Sequence, residues 1–253
     1  MPSAKDESDP MNSLTVTQWH AWASGLETPE AWLAWFKNPQ PISEDSKAGA
    51  TQVPALMRRR LSSLGRAAIE AVMAIYDESD RENQTPIVFA SRWGDIGLSV
   101  KLLKELCQEK SVSPMGFSTS VHNGIGGLFS ISQKHRANIV AIAGAETTPS
   151  AAIFEAMGLL HEGARSVIVV VYEERSPEEF ARFHPANFTY AWAVRLQQAK
   201  TDENSFTVTS YTTEGHRHTD TTESLNALRF LVEPTVSDWV NIGFPSSYRW
   251  RKC

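Results

Sequence analysis

The sequence is short of the residues that would tie it to an oxidising compartment, a membrane or a nucleic acid. Its two cysteines, Cys107 and Cys253, are too few for a disulfide framework, so a reducing compartment is the expectation. No apolar run approaches the roughly 20 residues that span a bilayer. The polar, acidic residues 1–10 lack the apolar segment of a secretory signal, so a cytoplasmic protein with no membrane partner is expected. Positive charge is in deficit: 24 Lys and Arg against 29 Asp and Glu give a formal net charge of −5. That balance argues against general binding to a phosphate backbone, and hence against a nucleic-acid partner. The signatures GxGxxG, P-loop, CxxC, HExxH and GxSxG are all missing. Residues 116–120 (GFSTS) approach the last but end in Ser, and no strand feeds them. His216 and His218 alternate in a polar stretch without further ligands and read as exposed loop. No cofactor and no metal site is expected.

The chain does have enough apolar residues for a core: 42 % are hydrophobic and 21 % charged over 253 residues, a length that suits one or two domains. Residues 1–13 read as a disordered lead-in and residues 14–253 as one domain. Residues 14–23 mix β-branched and aromatic side chains and predict a strand. Thr28-Pro29-Glu30 then predicts a helix start, with Thr28 as cap and Pro29 at the first position. In residues 56–76, Leu61, Leu64, Ala68, Val72 and Ile75 recur at spacings of three and four, which predicts one long helix. Residues 95–108, with Ile96, Val100, Leu103 and Leu106 in register, predict another, and residues 149–162 a third. Short apolar runs at residues 85–90 (TPIVFA), 138–143 (NIVAIA) and 166–172 (SVIVVVY) read as strands buried on both faces. This alternation implies an α/β fold with a mostly parallel sheet covered by helices. Residues 188–196 and 206–211 predict an antiparallel pair, and residues 222–231 a closing helix.

Three segments carry candidate chemistry. Gly124, Gly126 and Gly127 form a glycine-rich stretch that suits an anion cradle or, more simply, a helix packed closely on its neighbours. Arg58, Arg59 and Arg60 read as a solvated turn or as a patch for an acidic carrier protein. In residues 139–163 (IVAIAGAETTPSAAIFEAMGLLHEG) a strand enters a tight Ala-Gly-Ala turn and a helix follows at once. Glu146 sits at that elbow, where the helix dipole favours a negative group. The sequence places no base beside it.

This last segment resembles the β-ketoacyl synthases, condensing enzymes of the thiolase fold. In that family a strand ends in a small-residue turn, a nucleophilic Cys caps a buried helix, and the helix runs to a Gly before the next strand. The spacing from the Cys to that Gly matches Glu146 to Gly163. Upstream, SPMGFSTSVHNGIGGLFSI resembles the family segment that leads to the Cys strand, with Asn123 and Gly127 as the clearest matches. Residues 54–68 (PALMRRRLSSLGRAA) and residues 22–36 resemble a short subgroup of synthase-like N-terminal proteins. The likeness covers residues 14–172. It implies the N-terminal half of a condensing enzyme: a single thiolase-like half, a mixed five-stranded sheet covered by helices.

The departures bear on function. Glu146 stands where the family has Cys, and a carboxylate is a poor thioester nucleophile. The two histidines that drive malonyl decarboxylation in the family belong to the second half of the fold, outside this sequence. The resemblance therefore implies a chain without ketosynthase activity, similar to the half-length chain-length factors of aryl polyene pathways. Such a factor pairs with an active β-ketoacyl synthase as a heterodimer, meets an acyl carrier protein through that complex, and shapes the tunnel that holds the growing acyl chain. It implies an edge strand at Asn138, Ile139, Val140, Ala141 and Ile142 that pairs across the dimer, and tunnel or interface roles for Met115, Phe117, His122 and Asn123. For Met115 and Phe117, ordinary core filling is the competing reading. Two alternatives use Glu146 chemically: an independent acyl-transfer or hydrolytic enzyme with His122 or His161, or a decarboxylative priming subunit.

Overall fold

A computed structural model of the protein describes residues 13–108, 111–183, 186–200, 204–212, 223–243 and 246–253. The expected lead-in, apart from Ser13, and the pair His216 and His218 lie outside these residues. In chain order the elements are β1 (Leu14–Ala23), α1 (Pro29–Lys37), α2 (Ala55–Arg58), α3 (Ser63–Met73), α4 (Glu78–Glu82), β2 (Ile87–Ala90), α5 (Ile96–Cys107), α6 (Pro114–Ser120), α7 (Gly124–Gln133), β3 (Ile139–Ile142), α8 (Thr148–His161), β4 (Val167–Glu173), β5 (Tyr190–Gln198), β6 (Ser205–Thr212), α9 (Glu223–Val232), β7 (Asp238–Asn241) and β8 (Ser246–Lys252).

Side-chain caps fix several helix starts. Thr28 accepts the Ala31 N–H at 3.2 Å ahead of α1, and Asp95 accepts the Leu98 N–H at 3.1 Å ahead of α5. The single helix expected over residues 56–76 is in fact two. The Ser62 hydroxyl accepts the Gly65 N–H at 3.0 Å and starts α3 anew, because an N-capping Ser is worth about 1 kcal/mol and competes with helix continuation. The expected apolar face survives the break: Leu61, Leu64, Ala68, Val72 and Ile75 are all buried.

The strands join in one sheet of eight in the order β3-β2-β4-β5-β1-β6-β8-β7, which corrects the five-stranded expectation. β2 lies parallel between β3 and β4, and the rest are antiparallel. The extra strands attach where Leu14 and Thr15 of β1 pair with Phe206 and Ser205 of β6. β7 and β8 escape the sequence reading because Arg249, Arg251 and Lys252 interrupt their apolar signal. The supposed β5–β6 hairpin is also corrected: β1 lies between the two, and it pairs with β5 along nearly its whole length.

Side chains alternate between two cores with the period of two that a pleated sheet dictates. Ile87, Phe89, Ile168, Val170 and Tyr172 face one core with α3 and α7. Val88, Ala90, Val167, Val169, Val171, Trp192 and Val194 face the other with α1, α8 and α9. Gly126 of α7 lies so close to the sheet that a Cβ there would meet Ile139 at 3.0 Å and Phe89 at 3.2 Å. Within the glycine-rich stretch it is Gly126 that serves close helix–sheet packing, whereas a Cβ at Gly124 would meet the Thr119 carbonyl and one at Gly127 would meet nothing within 4 Å.

Helix α8 is buried nearly all the way round, with Ala152, Ile153, Ala156, Met157, Leu159 and Leu160 inside. A helix with so wide an apolar surface needs cover on more than one side; only a strip at Glu155, Gly158 and His161 is left outward. The sheet supplies one wall, and α9 with the C-terminal strands supplies the other. Trp250 of β8 stacks on Phe206 at 5.9 Å and donates its indole N–H to Ser150 of α8 at 2.9 Å. On this account Ile153→Ala should destabilise the protein by about 2–5 kcal/mol through the cavity it leaves. Leu103→Ala, at an exposed site, should stay within about 0.5 kcal/mol. Urea unfolding of the two variants checks the contrast.

Candidate functional site

The C-terminal ends of the three parallel strands β3, β2 and β4 converge on one turn. After β3 the chain passes through Gly144 and Ala145 into the 3-10 turn Ala145–Thr147 and then into α8. Ala145 holds φ at +49°, a left-handed conformation that costs a residue with a Cβ on the order of 1 kcal/mol. The Thr148 hydroxyl braces the turn, accepting the Gly144 N–H at 3.0 Å and donating to the Ala145 carbonyl at 2.8 Å. Glu146 stands at the tip of this elbow.

Its carboxylate is not free. The segment after β2 carries Arg92, whose Nη2 donates to Glu146 Oε1 at 2.7 Å. The Arg92 side chain is 15 % exposed and that of Glu146 31 %, so the pair is partly desolvated. Arg92 is itself held from two sides. Its backbone N–H donates to Glu173 Oε1 at the end of β4 at 2.7 Å, and its guanidinium lies 5.4 Å from the centre of the Trp93 ring, a cation–π contact. Asn241 of β7 donates to the Glu146 carbonyl at 3.1 Å and accepts from Ser150 at 2.6 Å. The elbow is therefore tied to β2, to β4 through Arg92, and to the C-terminal strands.

His122 reaches the same segment, where its Nε2–H donates to the Ser91 carbonyl at 2.9 Å. That bond commits the ring to positioning residues 91–94, with Gly94 (φ +62°) turning the chain against it. Asn123 occupies the cap position of α7, but its side chain makes no capping bond. His161 ends α8, the helix that Glu146 precedes, and a helix of that length sets them about 20 Å apart. No histidine acts on the Glu146 carboxylate through a described hydrogen bond. Among the described residues no group of three or more His, Cys, Asp or Glu is placed to hold a metal ion. Nor is any helix long and apolar enough to cross a membrane.

The partner-facing candidates sit elsewhere. β3 is the terminal strand of the sheet, so Ile139, Val140, Ala141 and Ile142 present one unpaired edge that carries no charge. Asn138 precedes it, its carbonyl accepting the Ile87 N–H at 3.0 Å. Met115 and Phe117 lie on α6 and are 50 % and 64 % exposed, which excludes core filling within this chain. Leu103 and Leu106 of α5, expected to face inward, are each 56 % exposed. The buried face of α5 is Ile96, Val100 and Leu102. α6 packs on α5 and α7, and α7 on β3.

A second carboxylate cluster flanks the site. Glu174 accepts the Gly97 N–H at the start of α5 at 2.6 Å, an approach that a side chain at position 97 would obstruct. Burial pushes the Glu174 carboxyl up to about 7; the neighbouring charge of Asp95 adds to this and the Gly97 N–H opposes it. Burial likewise raises Asp95. Arg92, Glu173, Glu174 and Asn241 have no sequence signature. Only the acids that close the apolar run of β4 hint at a site.

With the geometry in place, comparison with known proteins defines the class. The sequence matches the family model of the β-ketoacyl synthase N-terminal domain over residues 32–251. The chain belongs to that family, and its fold is that of the thiolase-like ketosynthases. It is 26 % identical to a chain of the complex of the ketosynthase ApeO with its chain length factor ApeC from Xenorhabdus doucetiae, with a TM-score of 0.78 over 94 % of this chain and 99 % of that one. The ishigamide ketosynthase/chain length factor matches at 16 % identity and a TM-score of 0.62 over 79 % of this chain and 67 % of the other. A type II polyketide synthase acyl carrier protein–ketosynthase complex, AntDE:AntF, matches at 14 % and 0.57 over 80 % and 69 %. The last two likenesses concern the fold alone. No curated protein matches the sequence.

The raised Glu174 carboxyl gives a pH prediction. A group whose folded pKa exceeds its unfolded value contributes stability below the unfolded pKa and loses it as pH rises through the folded one. Between about pH 4.5 and 7, ionisation of Glu174 should therefore cost stability, by at most about 3 kcal/mol. Glu174→Gln should unfold at a higher temperature than the parent at pH 8, and the difference should vanish near pH 4.5. Thermal melts across that range measure it.

Proposed function

We propose that this chain is a non-catalytic chain-length-factor subunit. It pairs with an active β-ketoacyl synthase and closes the acyl tunnel of the pair, in polyketide or fatty-acid-like biosynthesis of the aryl polyene type. The observation that carries the reading is the conjunction of an uncharged edge strand, β3, with the exposed Met115 and Phe117 on α6. An unpaired edge is a template for another strand unless charge or cover blunts it; β3 is short, but among the described residues it has neither charge nor a paired neighbour on its outer side, whereas the opposite edge, β7, carries Asp238 paired with Arg249. A second strand added at β3 would satisfy its outward backbone groups by β-augmentation.

The full-length likeness to a chain of a ketosynthase–chain length factor complex supports the same reading. The silence of the elbow supports it too: Glu146 stands where the family has a thiol, is engaged by Arg92, and has no general base among the described residues in hydrogen-bond reach. An independent hydrolase or acyltransferase, or a priming role for Glu146, finds no comparable support.

In this reading the partner's Cys carries the growing chain, delivered on the phosphopantetheine arm of an acyl carrier protein, and bulky side chains of this subunit bound the tunnel. Arg59 and Arg60 are exposed and line a cleft with Leu56 and Met115, a surface suited to an acidic carrier protein.

Three outcomes are expected. Co-expression with a β-ketoacyl synthase of the aryl polyene type should give a 1:1 complex by light scattering, while the isolated chain shows no condensation of malonyl and acyl thioesters. A well-behaved monomer that ignores the ketosynthase would sink the proposal. Phe117→Ala in the complex should shift products to longer chains by mass spectrometry; an unchanged distribution removes Phe117 from the tunnel end. Replacing Arg59 and Arg60 by Glu should raise the apparent KM for the acyl carrier protein several-fold and make it less salt-sensitive.

A further inference from the structure

In the proposed reading Glu146 stands silent at an elbow where the family carries a nucleophile, and the remaining question is what keeps it so. A carboxylate at the head of a long helix, on a strained turn, is well placed for reaction: the turn projects it, and 31 % of it is accessible. Other acids near it are otherwise engaged, Glu173 by the Arg92 N–H and Glu174 by the Gly97 N–H. Among the described residues, the cation on the Glu146 carboxylate comes from Arg92. That guanidinium is held in place by backbone anchoring at Glu173 and by Trp93. Its Nε is buried without an acceptor, so the side chain accepts an unsatisfied donor in order to keep Nη2 on Glu146. A buried unpaired donor costs about 1–3 kcal/mol, which marks the geometry as one the surrounding fold imposes.

We infer that Arg92 is a positioning residue that locks the Glu146 carboxylate closed, and that its removal leaves Glu146 chemically accessible at the elbow. This rests on the reading of the elbow as catalytically silent, and it assigns the silence to a named residue. Arg92 holds one carboxylate oxygen through a charge-assisted hydrogen bond, which denies that oxygen to an incoming electrophile or proton donor. Asn241 holds the Glu146 carbonyl from the opposite side, so the backbone stays in place when the side chain is released. The lock thus separates into a backbone part, made by the C-terminal strands, and a side-chain part, made by Arg92.

The test is site-resolved labelling of the full chain, alone and co-purified with its ketosynthase. A water-soluble carbodiimide with glycine ethyl ester converts an accessible carboxyl to an amide, and peptide mass spectrometry reads the adduct at Glu146. Loss of a partly exposed ion pair corresponds to about a two- to five-fold change. Arg92→Ala should raise the Glu146 labelling rate by that factor, with labelling at the exposed Glu30 and Glu82 unchanged. Arg92→Lys, which restores a cation, should return the rate most of the way to the parent value. If Arg92→Ala folds poorly, Arg92→Met keeps the apolar stem and serves in its place. Equal Glu146 labelling in parent, Ala or Met, and Lys forms would overturn the proposal. A purely structural role for Arg92 predicts a different pattern, with all carboxyls in the region labelling faster and no rescue by Lys. The parent reading fails separately: it falls if Glu146→Gln abolishes an activity of the isolated chain, whatever Arg92 does.

Discussion

The burial of α8 is the constraint on which the rest of the structure depends. Only a narrow strip of this helix, at Glu155, Gly158 and His161, turns outward, so the rest must be enclosed, and the sheet can enclose only one side of it. The C-terminal strands and α9 complete the cover with Phe206, Phe230 and Trp250. Ser150 lies inside that wall and is satisfied by Asn241 and the Trp250 indole, as a buried polar group must be. The same Asn241 then reaches the Glu146 carbonyl. Enclosing the helix and fixing the elbow are therefore one arrangement, and the extra strands of the sheet are its material.

From the enclosed helix the logic runs outward to the edge. Because α8 starts at the end of β3, a rigid α8 also fixes the end of the terminal strand. β3 is short, uncharged and unpaired on one side, while β7 at the other end of the sheet is guarded by Asp238, Arg249 and Arg251. The asymmetry leaves the molecule one uncharged edge and one charged edge. The exposed apolar side chains on α5 and α6 reach the uncharged edge through α7. A surface that leaves Phe117, Met115, Leu103 and Leu106 in water is costly for a monomer, and the cost is relieved if a partner covers them.

Much of this was legible in the residues themselves. The runs at β2, β3 and β4 read as strands buried on both faces because nothing polar interrupts them. The elbow segment read as strand, turn and helix, and β3, the turn at Ala145–Thr147 and α8 stand there in that order. The strand count failed where Arg249 and Arg251 sit among aromatic residues in β8, since their charges face outward and break the apolar pattern. The α5 face failed because periodicity reports which residues share a side of the helix, not whether that side meets the core or a missing neighbour. Arg92, Glu173 and Asn241 were invisible for a simpler reason. Their meaning lies in contacts across 54 to 95 positions of chain, and no local pattern encodes those.

The central claim is that a ketosynthase adds to this chain along β3. The carbonyls of Asn138 and Ile142 face β2, bonding Ile87 and Ser91, so the alternation of a strand turns the Ile139 and Ala141 amides outward. Hydrogen–deuterium exchange with residue-level resolution reads those two amides directly. The account predicts that Ile139 and Ala141 exchange rapidly in the isolated chain and become protected by two orders of magnitude or more, roughly the scale of ordered sheet amides, when the ketosynthase is bound. Unchanged exchange at both amides in a verified complex would contradict it.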